Sequence, residues 1–191
     1  VRLPDMLFAT VRMNPRQGAR MTGMDAAVAE KLPGVVKVID LGTGYGVVAN
    51  NTWTAFKAAD LVQPEWGEAS YPATTDAIFA RIDAALKAGG GFDMRDDGDA
   101  PGRIAAAAGK VISARYTAPY LAHATMEPMN ATAQWTDGKL AVWSGNQAPT
   151  SIVTQAASVF NLSTSDVSVH STYLGGGFGR RFETDFSILA A

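Results

Sequence analysis

Residues 174–181 read Leu-Gly-Gly-Gly-Phe-Gly-Arg-Arg, with ten residues to follow. Gly175, Gly176, Gly177 and Gly179 carry no Cβ, so this backbone can be approached closely and can take φ > 0 without steric cost. Ordering such a segment is costly in backbone entropy, so it reads as a built loop and not as a mere connector. Successive N–H groups in a turn of this kind converge into an anion-binding concavity, and Arg180 and Arg181 add charge-assisted donors. The residues before it, 167–172, fit a strand, and those after it, 183–191, begin a helix. Strand, glycine loop and helix start together form a ligand-binding corner. The loop's place near the last residue predicts that whatever it holds is completed by further protein.

At 191 residues the chain can bury a sizeable core, in one large domain or two small ones. Its formal net charge of −2 and lack of a basic run give no field for nucleic acid or an anionic membrane. There are no cysteines. That excludes disulfides, iron–sulfur ligation and thiol catalysis within this segment, and leaves the compartment, cytoplasm or periplasm, open. His123 and His170 are the two histidines, too few and too far apart in sequence for a zinc site. No apolar run approaches the ~20 residues that span a bilayer. The start, Val-Arg-Leu-Pro-Asp-Met, has neither an initiator Met nor signal-peptide character, which predicts an excised or processed piece.

Alternation and turn residues predict strands at 6–13, 35–41 and 47–49, the last after a glycine turn at Gly42, Gly44 and Gly46. Asp25 is a candidate N-cap for a short helix from Ala26 to Lys31, stopped by Pro33-Gly34. Residues 52–62 suit a second helix. A third spans 74–87, where Ile78, Ile82 and Leu86 recur at spacing four and predict one buried stripe. Gly89–Gly102 is a polar loop whose Asp93, Asp96, Asp97 and Asp99 lack the order of a calcium loop. From Val111 the pattern turns to β: strands at 111–116, 130–135 and 140–144, with Asp137-Gly138 as a hairpin turn. An amphipathic helix at 150–160 precedes the strand at 167–172. The fold class is α+β.

Several motifs have both a bland and a functional reading. Gly42-Thr-Gly-Tyr-Gly46 suggests a nucleotide fingerprint, but a strand and not a helix follows it, which favours a simple turn. In His123-Ala-Thr-Met-Glu-Pro-Met-Asn130, Glu127 could be a surface residue or a buried carboxylate holding backbone amides. His123 reads as a packed or hydrogen-bonded histidine ahead of a general base. In Ser144-Gly-Asn-Gln-Ala-Pro149, an amide could donate into a pocket without adding charge, or Asn146 or Thr150 could cap the following helix.

Taken in order, Tyr116, 119–124, Met126-Glu-Pro-Met-Asn-Ala-Thr-Ala133, Trp143-Ser144, Gln147-Ala-Pro149 and 174–181 resemble the molybdenum-binding large subunit of the xanthine dehydrogenase/aldehyde oxidase family. The isoquinoline 1-oxidoreductase β-subunit branch is the nearest resemblance. Leu3-Pro-Asp-Met-Leu7, Asp25, Leu32-Pro-Gly-Val35 and Val47-Val-Ala-Asn-Asn-Thr-Trp53 look like that branch's α/β hammerhead domain. The resemblance implies a hammerhead-like domain with an extension over 1–110, then the first part of a molybdopterin-binding α+β domain over 111–191.

It further implies a molybdenum hydroxylase that inserts water-derived oxygen into a C–H bond of an N-heterocycle or aldehyde. The implied cofactor is molybdopterin, in its cytosine dinucleotide form, and an iron–sulfur subunit takes the electrons. By the same resemblance Gln147 corresponds to the glutamine that hydrogen-bonds the metal's oxygen ligand or the adjoining cofactor. Gly176, Gly177, Phe178 and Gly179 correspond to the loop against metal and pterin, with Arg180 as a neighbour. The family's general base is a glutamate far downstream, and neither Glu127 nor Glu183 inherits its role. No catalytic residue and no protein ligand to the metal is therefore expected in this segment. The 191 residues alone are expected to be inactive and without cofactor. The competing reading is a non-catalytic binding or assembly module on the same fold.

Overall fold

Tyr45 shows how the N-terminal half is held together: its hydroxyl donates to the Ala59 carbonyl at 2.9 Å, under cover of a helix. Burial raises the Tyr45 pKa above its ordinary value, against the lowering pull of Arg12. The computed structural model describes every residue except Asp96, Ala108 and Lys110. It divides into two compact units, Leu7–Ala118, and Pro119–Ala191 together with Val1–Met6.

In the first unit, β1 (Phe8–Met13), β3 (Val35–Asp40) and β4 (Gly44–Ala49) form an antiparallel sheet in the order β1-β4-β3. β2 (Met21–Asp25) and β5 (Gln63–Trp66) form a second, two-stranded antiparallel sheet. Helices α1 (Ala27–Glu30) and α2 (Thr52–Ala59) complete the core of Met21, Ala29, Val38, Tyr45, Val47, Ala58, Ala59 and Val62. α2 starts where Asn51 accepts from the Thr54 amide at 2.8 Å, which satisfies a donor the helix leaves free. Its small buried face, Ala55, Ala58 and Ala59, lets the helix lie close on the sheet.

Gly44 and Gly46 lie within β4 and not in a turn. A Cβ at Gly44 would stand 2.2 Å from the Arg12 carbonyl oxygen. Close strand packing, not a nucleotide, accounts for that glycine. Asp25 ends β2 and accepts from the Ala27 amide at 3.0 Å, while Ala26 occupies the cap position of α1.

α3 (Thr75–Ala88) forms as the sequence predicts, capped by Thr74, but it buries no residue. Ile82 is 39% and Leu86 76% exposed, and no other described element packs extensively on α3. α4 (Ala100–Ala105) follows, capped by Asp99. Residues 111–116 form no strand. Alternating apolar residues need a ladder partner to pair, and these side chains are all exposed. The strands β2 and β5 leave no alternating signal in the sequence, since Gly23 and Pro64 interrupt their patterns.

The second unit is built on β6 (Ala131–Thr136), β7 (Lys139–Ser144) and β8 (Val167–Ser171), in that order. Asp137 (φ 49°) and Gly138 (φ 77°) make the tight turn between β6 and β7, the left-handed pair that a two-residue hairpin favours. β8 runs parallel to β7. The crossover between them is α5 (Pro149–Phe160), which ends where Asn161 turns left-handed at φ 54°. Leu140, Val142, Ala156, Ala157 and Val167 form the core. α6 (Asp185–Ala190) packs beside β6, and the Trp135 indole donates to the Ala191 carbonyl at 2.9 Å. No described helix is long and apolar enough to cross a membrane.

Leu140 is 1% exposed in this core. Leu140→Ala is expected to lower stability by about 2–5 kcal/mol, from lost burial plus the cavity left behind. Chemical denaturation should show this as a lower midpoint at unchanged slope.

Candidate functional site

Two loops leave the carboxyl ends of the adjacent parallel strands β7 and β8. The first runs from Gly145 to Ala148 and enters α5. The second runs from Thr172 through the glycine segment into a short 3-10 turn at Arg180–Phe182. In open α/β sheets, ligands bind beyond the carboxyl ends of parallel strands. The Thr172 amide donates to the Ser144 carbonyl at 3.1 Å, which starts the two loops side by side.

Arg181 ties them together. Its side chain is 0% exposed. Nε donates to the Gly176 carbonyl at 2.8 Å, and Nη1 to the Gly145 carbonyl at 3.1 Å. Nη2 donates to the Glu127 carbonyl at 3.1 Å and to its Oε2 at 2.6 Å. The Arg181 carbonyl in turn accepts from the Gln147 amide at 2.9 Å. The Met-Glu-Pro-Met-Asn segment, the Gln147 loop and the glycine loop therefore meet on one guanidinium.

Glu127 is half-buried, between the two alternatives, and it holds one backbone amide and one side-chain amide. Its Oε2 accepts from the Gly175 amide at 2.7 Å and its Oε1 from the Asn130 side chain at 3.0 Å. Those two bonds, with a lesser contribution from the charge of Arg181, keep its pKa below the ordinary value of 4.5 against the opposing desolvation. With its oxygens committed to donors, Glu127 is poorly placed to take up a proton.

Each glycine contact has a separate cause. A Cβ at Gly175 would lie 2.6 Å from the Glu127 Cβ, and one at Gly145 would lie 2.9 Å from the Leu174 Cβ. A Cβ at Gly177 would meet only the Gln147 Oε1 at 2.5 Å and the carbon behind it at 3.0 Å before reaching Leu174. Gly176 (φ 97°) and Gly179 (φ 92°) are left-handed, and so is Phe178 at φ 51°, an uncommon conformation for a bulky residue. Phe178 is 73% exposed. The structure thus lays the exposed Gln147 side chain over the buried Gly177, whose chain neighbours are the left-handed Gly176, Phe178 and Gly179.

Arg180 is engaged elsewhere: its two Nη atoms bind both Asp185 oxygens at 2.8 Å. Burial pushes the Asp185 carboxyl up, but the Arg180 hydrogen bonds and charge outweigh it and leave the pKa lowered. Neither Asn146 nor Thr150 caps α5, whose cap position is Ala148. Asn146 instead donates to the Ser144 carbonyl at 3.1 Å and to Ser171 Oγ at 3.2 Å, with its own Oδ1 buried and unpaired. His123 is exposed and not packed; a Cβ at Gly179 would stand 3.8 Å from its ring. No described group of three His, Cys, Asp or Glu could hold a metal, and Asp96 of the acidic loop lies outside the described residues.

Arg181 is the residue that sequence reasoning undervalued. The available signal was a lone glutamate in one motif and a second arginine in another, each needing a counter-charge if buried.

Residues 87–191 match the family model of the molybdopterin cofactor-binding domain. The membrane-bound aldehyde dehydrogenase [pyrroloquinoline-quinone] of Gluconacetobacter polyoxogenes is 32% identical, over 97% of this chain and 25% of its own length. The isoquinoline 1-oxidoreductase β subunit of Brevundimonas diminuta is 26% identical, over 100% and 26%. The aldehyde oxidoreductase molybdenum-binding subunit of Escherichia coli K12 is 30% identical, over 90% and 27%. The chain thus spans about a quarter of the length of these curated relatives. Among solved structures, reconstituted CO dehydrogenase from Oligotropha carboxidovorans superposes with TM-score 0.74 at 23% identity, over 100% of this chain and 30% of that one. The aldehyde oxidoreductase of Desulfovibrio desulfuricans superposes with TM-score 0.75 at 16% identity, over 99% and 26%. At such identities these two establish the fold alone.

The Glu127 contacts carry a pH dependence. A carboxyl lowered in the folded state stabilises fully above its unfolded value, and loses that contribution as pH falls through the folded one. Thermal melts should therefore drop below about pH 4.5. Glu127→Gln should melt lower at neutral pH and show a shallower drop in the acid window.

Proposed function

Because this chain belongs to the molybdopterin cofactor-binding domain family, the molybdenum-binding subunits of the xanthine dehydrogenase and aldehyde oxidase type, we propose that it supplies one wall of the molybdenum cofactor site. The enzyme it serves is a hydroxylase of an N-heterocycle or aldehyde, with water as the oxygen source and an iron–sulfur subunit as electron acceptor. The cofactor is molybdopterin in its cytosine dinucleotide form. Residues 1–110 serve as the hammerhead-like portion and 111–191 as the start of the cofactor-binding domain.

One observation carries this reading: the Gln147 side-chain amide, itself without a hydrogen-bond partner among the described residues, rests on Gly177 at the carboxyl edge of two parallel strands. Among the described residues the amides of Gly176, Gly177 and Phe178 also find no acceptor. Such a set of neutral donors suits a ligand rich in oxygen and sulfur acceptors.

When bound, the cofactor supplies the two-electron oxidation of the substrate. Gln147 and the loop amides orient it by hydrogen bonds, and Phe178 presents an apolar face beside them. Arg180 stands next to this wall with its charge matched by Asp185. Glu127 takes no proton from substrate, and the general base lies outside these residues. The 191 residues alone are therefore inactive.

Elemental and nucleotide analysis of the protein carrying this segment tests the proposal. One molybdenum per subunit, with CMP released on acid hydrolysis, is the expected result. A metal-free protein containing only a quinone, or no cofactor under replete expression, rejects it in favour of a different cofactor or a non-catalytic module. Gly177→Ala probes the wall directly. The new methyl meets the mobile end of Gln147, so stability should change by less than about 1 kcal/mol. Bound molybdenum should fall nonetheless.

A further inference from the structure

Glu127 and Arg181 do not themselves offer groups to a ligand at this wall. The Arg181 side chain has no exposed surface, and its bonds end on the carbonyls of Gly145, Gly176 and Glu127 and on the Glu127 carboxylate. Through its own carbonyl it also holds the Gln147 backbone amide, which fixes where that side chain departs from the loop. Glu127 closes the circuit by holding the Gly175 amide at 2.7 Å and pairing its own amide with the Gly175 carbonyl at 3.2 Å. Gly145 and Gln147 on one loop, and Gly175 and Gly176 on the other, are thus all bonded to this one ion pair.

We propose that Glu127 and Arg181 are the positioning pair of the cofactor wall, setting the distance between the Gln147 side-chain amide and the glycine-loop amides at which a molybdopterin is retained. This rests on the cofactor reading above. A guanidinium is needed because its rigid fork reaches acceptors on three segments at once, whereas an ammonium at the same place is a point charge with a different reach. The carboxylate is needed because a buried guanidinium without a counter-charge would draw water or displace the loop. Groups that orient the direct contacts of a metal site typically cost 10–100-fold in metal affinity when removed.

The test uses the cofactor-bearing protein with Arg181→Lys and, separately, Glu127→Gln. Molybdenum per folded subunit is measured after gel filtration, beside near-ultraviolet circular dichroism and hydrogen exchange of residues 144–147 and 174–181. A loss of bound molybdenum of about tenfold or more in Arg181→Lys, and a smaller loss in Glu127→Gln, is the expected result. Exchange should rise in those two loops while β6, β7 and α5 stay protected. Wild-type molybdenum in both variants overturns the proposal, and so does a loss that merely tracks the unfolded fraction. Should Arg181→Lys fail to fold, Glu127→Gln decides by the same criteria. A wild-type protein lacking molybdenum refutes the cofactor reading itself, an outcome distinct from a loaded wild type beside equally loaded variants.

Discussion

A guanidinium removed from water must find acceptors for its donors and a counter-charge nearby, or the fold that buries it is penalised by several kcal/mol. Arg181 meets that demand only because segments around residues 127, 145 and 176 are all in reach. None of the three belongs to a regular element, so no ladder or helix would otherwise fix them. The ion pair with Glu127 therefore does for these loops what backbone hydrogen bonding does for β6, β7 and β8. Its geometry also explains two glycines that might be ascribed to a ligand: at Gly175 and Gly145 a side chain would collide with protein.

The topology of the second unit places this clasp where it can matter. A hairpin pairs β6 with β7, and the α5 crossover returns the chain to pair β8 parallel to β7. Loops after β7 and β8 then emerge on the same edge, which brings Gln147 to Gly177 across thirty residues of sequence. Antiparallel pairing of these two strands would have sent the loops to opposite edges.

Regular elements in this chain were legible wherever local signals agreed. The helices α2 and α3 and the Asp137-Gly138 turn were each recognisable because the pattern that makes them is confined to a few neighbouring residues. Readings that required a partner fared differently. Residues 111–116 have strand-like alternation without a strand to pair with, and α3 has an apolar face of which no residue becomes buried. Within the site, Gln147 and the glycine loop stood out as motifs. The destination of Arg181, the exposure of His123 and the pairing of Arg180 with Asp185 did not, since each depends on residues distant in sequence or on the path of a loop.

The sequence by itself determined the α+β class, the family and the glycine loop of 174–181, because these are written in periodicity and in ordered short motifs. Only the tertiary structure decided what the loop's two arginines do. Arg180 turns to Asp185 at the surface, and Arg181 is buried on Glu127. Adjacent identical residues carry the same local signal, so their roles can differ only through the neighbours that folding brings to each.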